Sequence, residues 1–93
     1  MGQFRVIVSE IAKADIAKHK KSGNRATIAK IGKILQELSN DPYTGTGQPE
    51  QLKYNLLGFW SRRINHKDRI IYSVNRKTVI VEVVSAMGHY FDK

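Results

Sequence analysis

From residue 50 onward the sequence falls into short β-branched and aromatic runs parted by polar turns, while residues 9–40 carry a helical period. The order of these two patterns constrains the fold more than any other feature. Residues 50–54, 59–64, 69–74 and 79–86 read as strands, with turns expected at 56–58, 65–68 and 75–78. Runs joined so closely imply antiparallel hairpins. At the start of the chain Phe4, Val6 and Val8 alternate with Arg5 and Ile7, which predicts an opening strand. Ser9 and Glu10 suit a helix start, and Ser22-Gly23-Asn24 suits its end after Lys21. In the next segment Ile28, Ile31, Leu35 and Leu38 form one apolar stripe at three- and four-residue steps. Asn40-Asp41-Pro42 closes that second helix, because a residue before proline is pushed out of helical geometry. Two amphipathic helices ahead of such a sheet predict an α+β domain with both helices on one face.

Residues 41–49 contain Pro42, Gly45, Gly47 and Pro49 and read as the one long loop. There is no repeat, and 93 residues suit a single domain spanning 1–93. The chain is 41% hydrophobic and 26% charged, a balance expected to fold. It has no cysteine, so disulfides and thiolate metal sites are excluded. Residues 1–8 do not resemble a signal peptide, and a soluble cytoplasmic protein is expected.

The net charge is +8, with eight basic and four acidic residues in each of 1–49 and 50–93. The charge therefore belongs to the folded body rather than to a tail, and a polyanion is the expected partner. Within that field Glu50 stands apart, because Lys53, Arg62, Arg63, Lys67 and Arg69 follow it and only Asp68 breaks the run. The chemistry of RNA cleavage needs such a set. The 2′-hydroxyl is a nucleophile already present in the substrate. A carboxylate takes its proton, cations hold the phosphorane, and an acid protonates the departing 5′-oxygen. A glutamate is a weak base for this purpose, so positioning must compensate. The plainer alternative is a basic surface with one salt-bridged acid.

Arg62 and Arg63 are neighbours on a predicted strand, so at most one of them points into a given cleft. The same alternation sends Phe59 and Trp60 to opposite faces, and Trp60 reads as core. His19, in a lysine-rich helix end, and His66, in a turn, read as solvated side chains. His89 follows Gly88 just past a strand end and precedes Tyr90, where a side chain can reach a cleft, although an ordinary tail histidine is the commoner reading. No Walker loop or His-Glu-x-x-His pair occurs, and Gly45-Thr46-Gly47 lacks the lysine of a phosphate cradle.

The series 45–64, GTGQPEQLKYNLLGFWSRRI, continued by 66–72, HKDRIIY, and ended by His89-Tyr90, resembles the YoeB/Txe branch of the RelE toxin superfamily. The resemblance spans nearly the whole chain. It implies a twisted, mainly antiparallel sheet of four to five strands with two helices on one face. It also implies a toxin of a type II toxin–antitoxin pair that cuts mRNA in the ribosomal A site, without a metal or other cofactor. By the same resemblance Glu50 is the general base, Arg69 the phosphate-stabilising cation, and His89 the candidate general acid beside Tyr90. Lys53 and Arg63 match positions that help hold the RNA. The implied partners are the ribosome, its mRNA and a YefM-like antitoxin, with a second copy of the chain a further candidate. Two rivals stand beside this reading. One is a ParE-like gyrase inhibitor, against which the Glu50, Arg69 and His89-Tyr90 set argues. The other is a non-catalytic module that binds RNA or an antitoxin through the basic face.

Overall fold

A computed structural model of the chain describes residues 4–52, 58–66, 68–75 and 80–86, with the side chains of 80–85 excepted. Its elements run β1 (Arg5–Val8), α1 (Glu10–Ser22), α2 (Arg25–Asn40), β2 (Glu50–Gln51), β3 (Phe59–Arg63), β4 (Arg69–Asn75) and β5 (Ile80–Ser85).

Both helices begin and end where local chemistry dictates. Ser9 accepts the backbone N–H of Ala12 at 3.1 Å, and Asn24 accepts that of Thr27 at 3.1 Å. Each satisfies a donor that the first helical turn leaves free. Gly23 ends α1 at φ +78°, a left-handed position that glycine takes without strain, and its N–H bonds Lys20 O at 3.2 Å. The buried face of α2 is Thr27, Ile31, Ile34 and Leu38. Ile31 and Leu38 were in the expected stripe, whereas Ile28 and Leu35 are only half-buried. These two line a groove with Ile16 of α1, so the apolar arc of α2 is wide, one edge serving the sheet and the other α1.

The sheet has five strands in the order β1-β5-β4-β3-β2. β2–β3, β3–β4 and β4–β5 pair antiparallel, as the short turns require. β1 pairs parallel with β5, Arg5 opposite Ile80 and Val8 opposite Val83. The sequence reading foresaw hairpins and not this pairing, which joins segments 75 residues apart. The expected strand 50–54 is observed at Glu50–Gln51, with Leu52 just beyond it, while residues 53–54, the 56–57 part of the following turn and residues 76–78 of the expected 75–78 turn lie outside the described residues.

One core lies between helices and sheet. Ala12, Ile31, Ile34 and Leu38 from the helices meet Ile64, Ile70, Tyr72 and Ala86, with Phe4, Val6, Val8, Trp60 and Val74 packed at the rim. Full burial of each such aliphatic side chain contributes about 1.5–3 kcal/mol. Trp60 thus belongs to the core side, as expected, and its ring lies against Tyr43, centroids 5.2 Å apart.

His19 requires a correction. It was expected in solvent, yet it is 6% exposed and its Nε2–H donates to the carbonyl of Ala86 at 2.8 Å. Asp15, one turn earlier, accepts the N–H of Ala86 at 3.0 Å. The last turn of α1 lies over the end of β5, so a polar side chain there is buried against backbone that needs a partner. His66, by contrast, is exposed in its turn, as expected.

Candidate active site

Pairing fixes which side chains share a face, because residues directly opposite in a ladder point the same way. Trp60, Arg62, Ile70, Tyr72 and Val74 face the helices. Glu50 is paired with Ser61, Ser61 with Ile71, and Arg63 with Arg69, all on the opposite face. On that face Gly47, Gln48, Pro49, Glu50, Ser61, Arg63 and Arg69 line an open cleft of about 320 Å³.

The loop between α2 and β2 delivers Glu50 to this cleft. Gly47 accepts the N–H of Arg63 at 2.7 Å through its carbonyl, so the loop is laid directly on the end of β3. Gly47 and Gln48 both have positive φ, +86° and +53°, and these two left-handed residues turn the chain into Pro49 and Glu50. A Cβ on Gly47 would lie 2.7 Å from the carbonyl oxygen of Arg63, so only glycine permits so close an approach.

The loop is also held from the helix side. Arg62 is fully buried, and its Nε donates to the Tyr72 hydroxyl at 3.1 Å. Its Nη1 donates to Glu37 Oε1 at 2.8 Å and to Thr46 O at 3.3 Å, and its Nη2 to Asp41 O at 3.0 Å and Thr44 O at 2.8 Å. Glu37 also accepts the N–H and the hydroxyl of Thr46, at 2.8 and 2.7 Å. Tyr72 donates its hydroxyl to Pro42 O at 2.6 Å. Partial burial acts to raise the Glu37 carboxyl, but the Thr46 hydrogen bonds and the Arg62 guanidinium outweigh it and hold the pKa below its ordinary value. Burial pushes the Tyr72 hydroxyl up, against the pull of Arg62.

Of the residues singled out in sequence, the cleft brings together Glu50, Arg63 and Arg69. Lys53, His89 and Tyr90 lie outside the described residues. The alternation of the two arginines is as expected, with Arg62 inward and Arg63 in the cleft. The ion pairs among the described residues are Glu10–Lys13 and Glu37–Arg62, and neither uses Glu50. Among the described residues the acids in ion pairs are thus Glu10 and Glu37, and Glu50 is exposed at the cleft rim. Arg63 and Arg69 stand directly opposite each other, a like-charge pairing that is unfavourable without an anion between them. Sequence reasoning missed Ser61, which is buried beneath the cleft, and Glu37, which lies in a helix away from the motif. Ser61 was discoverable: it is two residues from Arg63 and so shares its face.

Two helices backing a five-stranded sheet, with a basic cleft on the face opposite them, define the RelE-like class of small toxins. The structure superposes on a YoeB/ParE toxin from Agrobacterium tumefaciens with a TM-score of 0.83 at 26% identity, covering 94% of this chain and all of that one. Residues 10–90 match the profile of the family described as YoeB-like toxin of bacterial type II toxin–antitoxin system, and the chain belongs to that family. The toxin YoeB of a Synechocystis strain is 34% identical over 67 residues, which are 72% of this chain and 76% of that protein. The Staphylococcus aureus YoeB is similar both as a dimer and in complex with YefM. The dimer gives a TM-score of 0.76 at 32% identity over 95% of this chain and 99% of that one. The complex gives 0.74 at 33% over 94% and 98%.

Proposed function

We propose that this toxin is a ribosome-dependent endoribonuclease that cuts mRNA in the ribosomal A site through the cleft on the face of the sheet opposite the helices. The observation that carries the reading is the placement of an exposed carboxylate, Glu50, which has no ion-pair partner among the described residues, in one cleft with Arg63 and Arg69. Glu50 takes the proton of a ribose 2′-hydroxyl, and the 2′-oxygen attacks the adjacent phosphorus. Negative charge grows on the non-bridging oxygens, where Arg69, with its planar fork, and Arg63 stabilise it. The bond to the 5′-oxygen breaks, and that oxygen takes a proton from His89, beside Tyr90. The products are a 2′,3′-cyclic phosphate and a 5′-hydroxyl. Lys53 adds to the hold on the RNA. Because Glu50 is open to solvent in the free protein, the ribosome supplies the enclosure and alignment that a weak base needs.

The same exposed cations suit an acidic antitoxin of the YefM kind, which would cover the cleft and block it, and the toxin would self-associate as its S. aureus relative does. It would act in the cytoplasm, among translating ribosomes. The test is incubation with mRNA-programmed ribosomes and mapping of the new 5′ ends by primer extension. Wild type should cut in the A-site codon, and Glu50→Gln, Arg69→Ala and His89→Ala should each cut far more slowly while remaining folded. Equal cleavage of free RNA, or full activity in all three variants, would refute the proposal. Gyrase inhibition without cleavage would favour the ParE-like alternative.

A further inference from the structure

Arg62 and Arg63 are adjacent on β3, yet only Arg63 faces the cleft. Arg62 is fully buried on the opposite side of the strand, and each of its five N–H groups has an acceptor. Three of those acceptors are the carbonyls of Asp41, Thr44 and Thr46, in a segment without helix or strand. The other two, Glu37 and Tyr72, bind the same segment again through Thr46 and Pro42. The backbone is pressed onto this ion pair. A Cβ on Gly45 would lie 2.4 Å from Glu37 Oε1 and 3.1 Å from Arg62 Nη1. Immediately after the segment come Gly47, bonded to the Arg63 N–H, then the left-handed Gln48, Pro49 and Glu50.

Stability alone is a poor reason for this arrangement. Removing two charges from water offsets most of what a buried ion pair gains, and apolar replacements often serve as well. What a guanidinium supplies that an apolar side chain cannot is direction, because its five donors lie in one rigid plane. Each carbonyl of the loop must come to a fixed point around it.

We propose that Arg62 is a positioning residue for RNA cleavage: it holds residues 41–46 in the one conformation that sets Glu50 against Arg63 and Arg69. The proposal rests on the reading of that cleft as the cleavage site. Arg62 touches no substrate, and Glu37 is its partner in the same role.

Arg62→Lys keeps the charge but replaces the planar fork by three donors at one point. With programmed ribosomes and saturating toxin, the single-turnover cleavage rate should fall ~10- to 100-fold, as expected when a reacting group is displaced by a fraction of an ångström to an ångström. The toxin concentration giving half the maximal rate should stay within about threefold of wild type, because binding of the ribosome is not what Arg62 governs. A role limited to stability would instead lower the melting temperature and leave the rate per folded molecule unchanged, which would overturn the proposal. Should Arg62→Lys not fold, Glu37→Ala decides by the same two readouts. It removes the carboxylate from a part-exposed helical position without opening a core cavity. Glu50→Gln is measured alongside. If it cleaves like wild type, the reading of the cleft fails. If it is inactive while folded Arg62→Lys and Glu37→Ala keep the wild-type rate, the cleft stands and the positioning role is wrong.

Discussion

Replacing Gly47 by alanine tests how closely the loop is laid on β3. Two separate costs are expected. A left-handed φ of +86° penalises any Cβ by about 1–2 kcal/mol. The added methyl would also sit 2.7 Å from the carbonyl oxygen and 3.1 Å from the nitrogen of Arg63, both of them backbone atoms of a paired strand. Neither atom can rotate away, so the loop must lift. Lifting stretches the 2.7 Å bond from the Arg63 N–H to Gly47 O, a bond with a net worth of about 0.5–1.5 kcal/mol. The sum is roughly 2–3 kcal/mol of destabilisation. Gly23→Ala is the internal control. Its φ is +78°, and a Cβ there meets nothing within 4 Å, so it bears only the first cost. Urea unfolding followed by the fluorescence of Trp60, the sole tryptophan, gives both values. With a slope of about 1–3 kcal/mol per molar urea, Gly47→Ala should lower the midpoint by on the order of 1 M or more, and Gly23→Ala by about half as much. Equal midpoints for the two variants would show that the loop does not press on β3, and the described path to Glu50 would be wrong.

His19→Ala should destabilise the domain by about 1–3 kcal/mol, because it strands the buried carbonyl of Ala86, whereas a solvated histidine would give about 0.5 kcal/mol or less. Thermal unfolding separates the two outcomes. Acid should weaken the fold through Glu37: its carboxyl is depressed in the folded state, so the unfolded chain binds more protons as the pH falls. That stability is fully present above the ordinary value of 4.5 and is lost as the pH drops through the lower folded value. Asp41, held down by the Tyr43 N–H and the Thr44 hydroxyl, acts in the same direction from its ordinary value of 3.8. Urea midpoints from pH 6 to 3 should decline less steeply in Glu37→Gln than in wild type, and parallel declines would contradict the Glu37 assignment.

The helices and hairpins were legible because their signals are local. Ser9, Asn24 and Gly23 cap by contacts within a few residues, and strand alternation by itself puts Arg62 and Arg63 on opposite faces. What alternation leaves open is which of the two faces inward. That is settled by Glu37, 25 residues away, and by loop carbonyls with no sequence signature. The parallel β1–β5 pairing is unreadable for the same reason, since no turn connects the two strands. His19 was misjudged although a signal existed: Ala12, Ile16 and His19 lie at four- and three-residue steps and share the apolar side of α1. Lys18, Lys20 and Lys21 around it mask that signal. In the cleft, Glu50, Arg63 and Arg69 were found as individual residues, but the buried polar scaffold beneath them was not.

The pairing of β1 with β5 also sets a schedule. Arg5 pairs with Ile80, 75 residues further along the chain, so β1 is synthesised well before its strand partner. Synthesis at ~5–20 residues per second leaves the first strand waiting for several seconds beside a sheet that lacks its second member. Contacts so distant in sequence also close slowly once both ends are available. Until then β1 lacks the strand it pairs with. The five-stranded sheet is thereby completed only once β5 has been made.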